Sequence, residues 1–371
     1  MHQKLQTVKT PAYIIDLPAL TRNLEILKEV EEKSGAKILL AQKCYSVYQT
    51  YPLIGKYISG CTASGLFEAR LGFEEMHGEN HIFSPAYLDS EFEEITEICD
   101  HISFNSVSQY EKFRDRANGV SCGIRINPEF STQEHGIYDP CSEFSRLGAV
   151  RSSIKELPEG LEGLHFHTLC EQNADDLAKT AAAVEDKFGD FLPKIKWLNM
   201  GGGHHITRPG YDVDLLVKTV RHFSEKYGVQ VYLEPGEAVA LNAGWLAAEV
   251  LDTVHNGMDI AILDASAACH MPDVIEMPYR PEIEGAGQPY EKAYTYRLGG
   301  NTCLAGDIIG DYSFDKPLKA GDKLFFKDMA IYSMVKNNTF NGMALPDILA
   351  WDGKSTEVIK SFSYEDFKCR L

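Results

Sequence analysis

Residues 196–236 read KWLNMGGGHHITRPGYDVDLLVKTVRHFSEKYGVQVYLEPG. An apolar run (Lys196 to Met200) leads into three glycines, then into an amphipathic stretch (Val213 to Tyr227), then into a second apolar run (Val229 to Glu234). Period 3.6 in the middle and short continuous apolar runs on either side are the pattern of a βαβ unit with a buried, parallel pair of strands. The same alternation extends toward the N-terminus. Apolar runs recur at Ile38 to Gln42, Ile58 to Thr62, His81 to Ser84, His101 to Asn105, Cys122 to Asn127 and Leu161 to His167. Helical spacing recurs at Leu17 to Ser34 and in the Ala-rich segment Asp175 to Phe188. About eight strands in some 200 residues predict a closed (β/α)8 barrel rather than an open doubly wound sheet. The connection from Asn127 to Gly160 is longer than such units need, and a lid or loop insertion is expected there.

Beyond residue 241 the texture changes. Trp245 to Asp252, Met258 to Ala265, Tyr290 to Leu298, Lys323 to Lys327 and Thr356 to Lys360 read as strands between Gly and Pro turns, with no alternating helices. The expected fold class is therefore α/β, a (β/α)8 barrel at 17–241 with a second, mostly antiparallel β domain. That domain is expected to comprise 1–16 plus 242–371, with the early strand Ala12 to Ile15 pairing into it.

Of the 371 residues, 54 are acidic and 36 basic, a formal charge of −18, which argues against a nucleic-acid partner because a phosphate-binding surface must be basic. The same sign permits a cationic substrate. Nine cysteines without CxxC spacing speak against a disulfide framework or a zinc knuckle. No apolar run approaches the roughly 18 residues that span a bilayer, and MHQKLQTVKTPAY carries no apolar leader core, so a cytoplasmic protein without a membrane partner is expected.

Function in such a barrel gathers at the C-terminal strand ends. Those ends carry Lys43, Ser64, Arg125, His167, the run Gly201, Gly202, Gly203, and Glu234. A lysine at the end of a buried strand is suited to Schiff-base chemistry, though its position also fits a plain surface lysine. A glycine run after the seventh strand can bring backbone N–H groups to a phosphate or simply turn the chain. A strand-end carboxylate such as Glu234 can hold a proton on a ring nitrogen. His165 and His167 share one strand face; with His204 and His205 they form a conceivable metal set, a distant alternative. In the second domain, Gly300 to Asp307 encloses a thiol, Cys303, in a glycine-flanked loop, and Tyr332 offers a hydroxyl.

Taken in order, AQK at 41–43, TASG at 62–65, RINP at 125–128, HFH at 165–167, GGG at 201–203, EPG at 234–236 and TC at 302–303 resemble the fold-type III, alanine racemase-like, pyridoxal phosphate (PLP)-dependent decarboxylases. The resemblance covers nearly the whole chain from about Thr10. AQKCYSVY, EFSRLG, GLHFHTLCE, NMGGGHHITRPGYD and LDASAACHMPDVIEMPYRP are most similar to the branch that acts on carboxynorspermidine and carboxyspermidine. It implies that Lys43 holds PLP through a Schiff base, His167 stacks on its ring, Glu234 keeps its nitrogen protonated, and Gly201 to Gly203 with Tyr332 bind its phosphate. Arg125 would stand near the cofactor, and Asp264 and Asp307 near the distal amines of the substrate. Cys303 would donate a proton in the active site of a partner subunit, making a homodimer with shared sites and no catalytic metal. The implied reaction releases CO2 from a cationic polyamine precursor to give norspermidine or spermidine. Two departures stand out: Glu237 occupies the place of an arginine in the EPGR motif of better-known members, and Leu304 follows the loop cysteine where ornithine and diaminopimelate enzymes carry an acid. Other readings are a diaminopimelate, ornithine or arginine type of decarboxylase, a racemase, or a non-catalytic PLP-binding homologue.

Overall fold

The computed structural model describes residues 5–134 and 136–371; residues 1–4 of the expected N-terminal segment and His135 of the 127–160 connection lie outside the described residues. The chain divides into two compact units, one of residues 21–239 and one of residues up to 20 together with 240–371.

In the first unit eight strands run parallel: β2 (Lys37–Ala41), β3 (Gly60–Ala63), β4 (Glu79–Phe83), β5 (His101–Phe104), β6 (Ser121–Asn127), β8 (Gly163–His165), β9 (Trp197–Asn199) and β10 (Gln230–Leu233). Their order β5-β4-β3-β2-β10-β9-β8-β6, with β6 pairing back onto β5, closes the barrel. Each expected apolar run supplies one of these strands. The helix Val213–Tyr227 has the predicted ends because its caps are written locally. Asp212 Oδ1 accepts the Leu215 N–H at 2.9 Å, and Gly228, at φ +70°, takes the left-handed turn that stops it.

Along each strand alternate side chains point into the barrel. Trp197 dominates the interior, and two glycines make room for it: a Cβ on Gly163 would lie 2.0 Å from its ring and one on Gly123 2.2 Å away. Its indole N–H donates to Ser121 Oγ at 2.8 Å, so the one polar atom of this large ring is satisfied. The long connection after β6 is a loop insertion, with the two-residue strand β7 (Ala149–Val150) laid along Ile126 and Asn127, and single 3-10 turns at Gly136–Tyr138 and Arg151–Ser153.

In the second unit β1 (Ala12–Asp16), fully buried, lies between β11 (Gly244–His255), antiparallel, and β16 (Asp347–Trp351), parallel. The sheet order is β14-β13-β12-β11-β1-β16-β17, with β12 (Asp259–Leu263), β13 (Tyr294–Gly299), β14 (Ile308–Phe314) and β17 (Thr356–Lys360), while β15 (Lys323–Lys327) pairs with β11. Five of its seven pairings are antiparallel. β14 and β16 were not expected from sequence, and β13 begins four residues later than the apolar run, after a turn in which Tyr290 takes φ +65°.

Candidate active site

At the C-terminal ends of the barrel strands an open cavity is lined by Lys43, Ser64, Arg125, His165, His167 and Glu234, among others. Parallel register brings these residues together: each lies within two residues of the end of its strand, so strands far apart in sequence deliver side chains to one mouth.

Glu234 is the best-supported group in it. Its Oε1 accepts from Asn199 Nδ2 at 2.7 Å, and its Oε2 lies 3.4 Å from His165 Nε2. Burial alone would raise this carboxyl; the His165 ring and the Asn199 amide outweigh it and bring it down to about 2. The carboxylate is therefore ionised at any working pH while 8 % exposed, which is useful only if something cationic faces it. Burial lowers the affinity of His165 and His167 for a second proton. For His167 the neighbouring Lys43 and Arg125 add to that effect. Neutral His167 accepts the Gly202 N–H on Nδ1 at 2.8 Å, which leaves the ring proton on Nε2. Arg125, 5 % exposed, stacks over Phe83 at 4.5 Å and donates to the His167 carbonyl at 3.2 Å; burial brings its guanidinium down to about 10.

The glycine run does more than was expected of it. Gly201 N–H donates to Asn199 Oδ1 at 2.8 Å and Gly202 N–H to His167, so both amides orient the pocket's side chains rather than remain for a phosphate. Side chains are excluded here: a Cβ on Gly202 would meet the Glu234 carbonyl at 2.4 Å, and one on Gly203 the Leu169 carbonyl at 2.1 Å. The four histidines conceived as a metal set are not assembled as one. His204 Nε2 is on the Gly201 carbonyl at 3.0 Å, while His205 Nε2 meets Glu237 Oε2 at 2.5 Å. Glu237 thus has a partner, 32 residues away in sequence.

The remaining residues singled out from sequence belong to the sheet unit. Cys303 is exposed, its N–H held by Asn341 Oδ1 at 2.7 Å. Asp307, 3 % exposed, accepts from Ser266 Oγ at 3.0 Å, from the Ala268 N–H at 3.3 Å and from Thr302 Oγ1 at 2.6 Å. Those bonds occupy both carboxylate oxygens and anchor the loop that carries Cys303. Asp264 is half-buried and accepts the Glu249 N–H at 2.7 Å; burial raises its carboxyl. Tyr332 is half-buried in the left-handed region at φ +54°. Sequence reading missed Asn199 and Phe83. The signal for Asn199 was present: it lies two residues from Trp197 on β9, hence on the same inward face, and a polar residue there needs a partner.

Comparison with known proteins agrees with this geometry. The family model "Pyridoxal-dependent decarboxylase, C-terminal sheet domain" matches residues 12–330. A carboxynorspermidine/carboxyspermidine decarboxylase of Campylobacter jejuni is 45% identical, over 98% of this chain and 99% of its own. A carboxyaminopropylagmatine decarboxylase of Synechocystis is 39% identical over 99% and 97%. The crystal structure of carboxynorspermidine decarboxylase complexed with norspermidine from Campylobacter jejuni superposes with a TM-score of 0.93 at 45% identity, covering 98% of this chain and 100% of that one. Diaminopimelate decarboxylase from Helicobacter pylori, 17% identical, shares the fold with a TM-score of 0.84. A family match over most of the chain and full-length relatives at this identity lead to one conclusion: the chain belongs to the pyridoxal-dependent decarboxylases.

Proposed function

We propose that this protein is a PLP-dependent carboxy-lyase of polyamine biosynthesis that decarboxylates carboxynorspermidine, carboxyspermidine or both, giving norspermidine or spermidine and CO2. The observation that carries the reading is the meeting of an amine, Lys43, and a buried carboxylate that His165 and Asn199 hold in its ionised form, Glu234, on one cavity, in a chain related end to end to enzymes of that name.

The residues fit the cofactor. Among the described residues both ring nitrogens of His165 are buried without a hydrogen-bond partner, Nε2 beside Glu234, polar capacity that a bound group can use. Lys43 would hold the carbonyl carbon through its amine, Glu234 the proton on the ring nitrogen, and the His167 ring would lie along the ring face. With Gly201 and Gly202 N–H already engaged, the phosphate would fall to Gly203, the segment after it and the Tyr332 hydroxyl. When bound, PLP supplies an electron-accepting ring for the pair released as CO2 leaves.

The chain's own residues do the rest. Asn199 fixes Glu234 Oε1 and the Gly201 amide together, so the carboxylate cannot rotate away from the cavity. Arg125 holds the His167 carbonyl and so the turn that carries that ring. Cys303 would deliver a proton to the substrate carbon vacated by CO2, and Lys43 would carry protons at the same carbon's amine. Asp307 is better placed to hold the Cys303 loop than to meet substrate, because its oxygens are occupied. Asp264 is the acid we assign to a distal amine. The charge of −18 favours the approach of a triamine.

A homodimer in which the Cys303 loop of one chain serves the pocket of the other completes the reading. None of the nine cysteines is joined in a disulfide, which suits the reducing cytoplasm. Mixing inactive Lys43→Ala and Cys303→Ala chains tests the dimer: recovery of activity is expected, and none contradicts shared sites. The 39% identity to the Synechocystis protein favours one second reading, a carboxyaminopropylagmatine substrate. Assaying CO2 release from that compound beside the two carboxylated triamines separates them; the first reading predicts the higher kcat/KM on a carboxylated triamine.

A further inference from the structure

A second group of convergent donors lies at the other end of the barrel, where the strands begin. Glu79 and His81 are two apart on β4 and so face the same way, inward like Phe83 of the pocket two residues further on. His101 opens β5 and is the ladder partner of His81 in the parallel register. Three side chains capable of binding a metal are thereby brought to one face by two adjacent strand starts. Their donor atoms, Glu79 Oε2, His81 Nε2 and His101 Nδ1, stand close: 3.1 Å from the carboxylate to His81 and 2.7 Å from His81 to His101. Among the described residues no other trio of His, Cys, Asp or Glu donors converges within 4.8 Å.

From this geometry we infer that Glu79, His81 and His101 form a binding site for a divalent transition metal, best suited to zinc, with its fourth position open to water.

Four features support it. In tetrahedral zinc sites bonds of about 2.0–2.1 Å place neighbouring ligands roughly 3.3 Å apart, so the contacts of His81 with Glu79 and with His101 need to lengthen by only about 0.2 Å and about 0.6 Å. Hydrogen bonding accounts poorly for the same contacts. His81 Nε2 is approached by both a carboxylate oxygen and an imidazole nitrogen, whereas a neutral ring nitrogen has either one proton or one lone pair to offer. A cation at the centre satisfies all three donors at once.

Lys37 is the third feature. Its ammonium contacts Glu79 Oε1, the oxygen not turned to the histidines, so it orients the carboxylate and leaves Oε2 for a metal. The fourth is the setting. Trp197 stacks on His101 with ring centroids 5.0 Å apart and Tyr232 packs on His81 at 4.7 Å, which fixes both imidazoles. His81 is buried while Glu79 and His101 are partly exposed, giving a metal a way in. Two imidazoles and one carboxylate favour zinc or its transition-metal neighbours over magnesium and calcium, which demand oxygen ligands. Bound there, the ion would tie the starts of β4 and β5 together and leave the pocket at the strand ends untouched.

The test uses the full-length, PLP-loaded protein without an affinity tag, stripped by chelator and desalted. Zinc chloride is titrated in by calorimetry, and thermal unfolding is followed with and without it. We expect one zinc per chain from this site, a higher Tm in its presence, and an affinity at least about tenfold weaker in both Glu79→Gln and His101→Gln. Wild-type stoichiometry and affinity in both variants, or no binding at all, would overturn the site. Should a variant fail to fold, X-ray absorption on the zinc-loaded wild type decides. Two imidazoles with oxygen are expected; a shell containing sulfur, or one without imidazole, contradicts the inference.

Discussion

At the strand ends Glu234 meets His165 and Asn199; at the strand starts Glu79 meets His81, Lys37 and Tyr232. Burial acts to raise both carboxyls, and in both places the neighbours win and bring them down to about 2. By protonation alone the two ends of the barrel are the same. Their surroundings separate them. Glu234 looks onto a cavity shared with Lys43 and is backed by a glycine turn whose amides orient Asn199 and His167. Glu79 has a lysine already on one oxygen and two imidazoles at chelating distance on the other side. A depressed carboxyl marks a well-supported anion; the groups facing it decide whether that anion serves a cofactor, a metal or the fold.

Four perturbations sharpen or break this comparison, and the largest effect belongs to Lys43→Ala. It should lower kcat/KM for CO2 release by roughly a thousandfold or more, because the covalent anchor and proton carrier we propose are lost together. A variant keeping a tenth of wild-type activity would remove the distinction between the two ends. Next, Glu234→Gln keeps the shape and removes the charge; a loss in kcat of about 10²–10³ is expected, with the Tm little changed. Between the two ends lies Trp197, packed against Gly163. There Gly163→Ala should lower stability to urea by about 1–3 kcal/mol, since the new Cβ would lie 2.0 Å from the ring, while activity per folded chain persists.

The smallest effect is a slope. His204 is buried, with its affinity for a proton lowered to about 4 by that burial, and its Nε2 is on the Gly201 carbonyl. Between about pH 6.5 and 4 the unfolded chain binds this proton and the folded chain does not, so stability falls as the pH falls, by up to roughly 1.4 kcal/mol per unit for one such group. His204→Gln should flatten that part of the curve. Glu234 acts in a lower window: its contribution is present above the usual glutamate value near 4.3 and is lost as the pH falls toward about 2. Equal slopes in wild type and His204→Gln between pH 6 and 5 would show that His204 is protonated in the folded protein.

The barrel was legible because its strands are largely buried on both faces and so appear as short, mostly apolar runs, and because signals such as Asp212 and Gly228 sit at the helix ends. That Lys43, His167 and Glu234 share one cavity was legible through position, each at the end of such a run. Less could be read where a residue's role depends on a distant partner. Glu237 stood out as an unusual residue, but nothing near it in sequence points to His205. Asp307 looked like a free acid beside Cys303 until Ser266 and Thr302 were found on its oxygens. β16 is a five-residue strand whose place is set by β1, more than 330 residues earlier in the chain, and β14 is interrupted by Gly310 and Asp311. Local pattern had little to report there. The cluster at the strand starts escaped for the same reason: Glu79 and His81 form a pattern only when register adds His101.

Central to the proposed function is the removal of CO2 from a carboxylated triamine at the pocket of the strand ends. Its direct test is CO2 release by the PLP-loaded protein from carboxynorspermidine, measured beside meso-diaminopimelate and ornithine at equal concentrations. We predict turnover of carboxynorspermidine with kcat/KM at least about a hundredfold above either amino acid, a difference of roughly 2.7 kcal/mol in transition-state binding. Equal or faster release from diaminopimelate or ornithine, or none from the triamine, would contradict it.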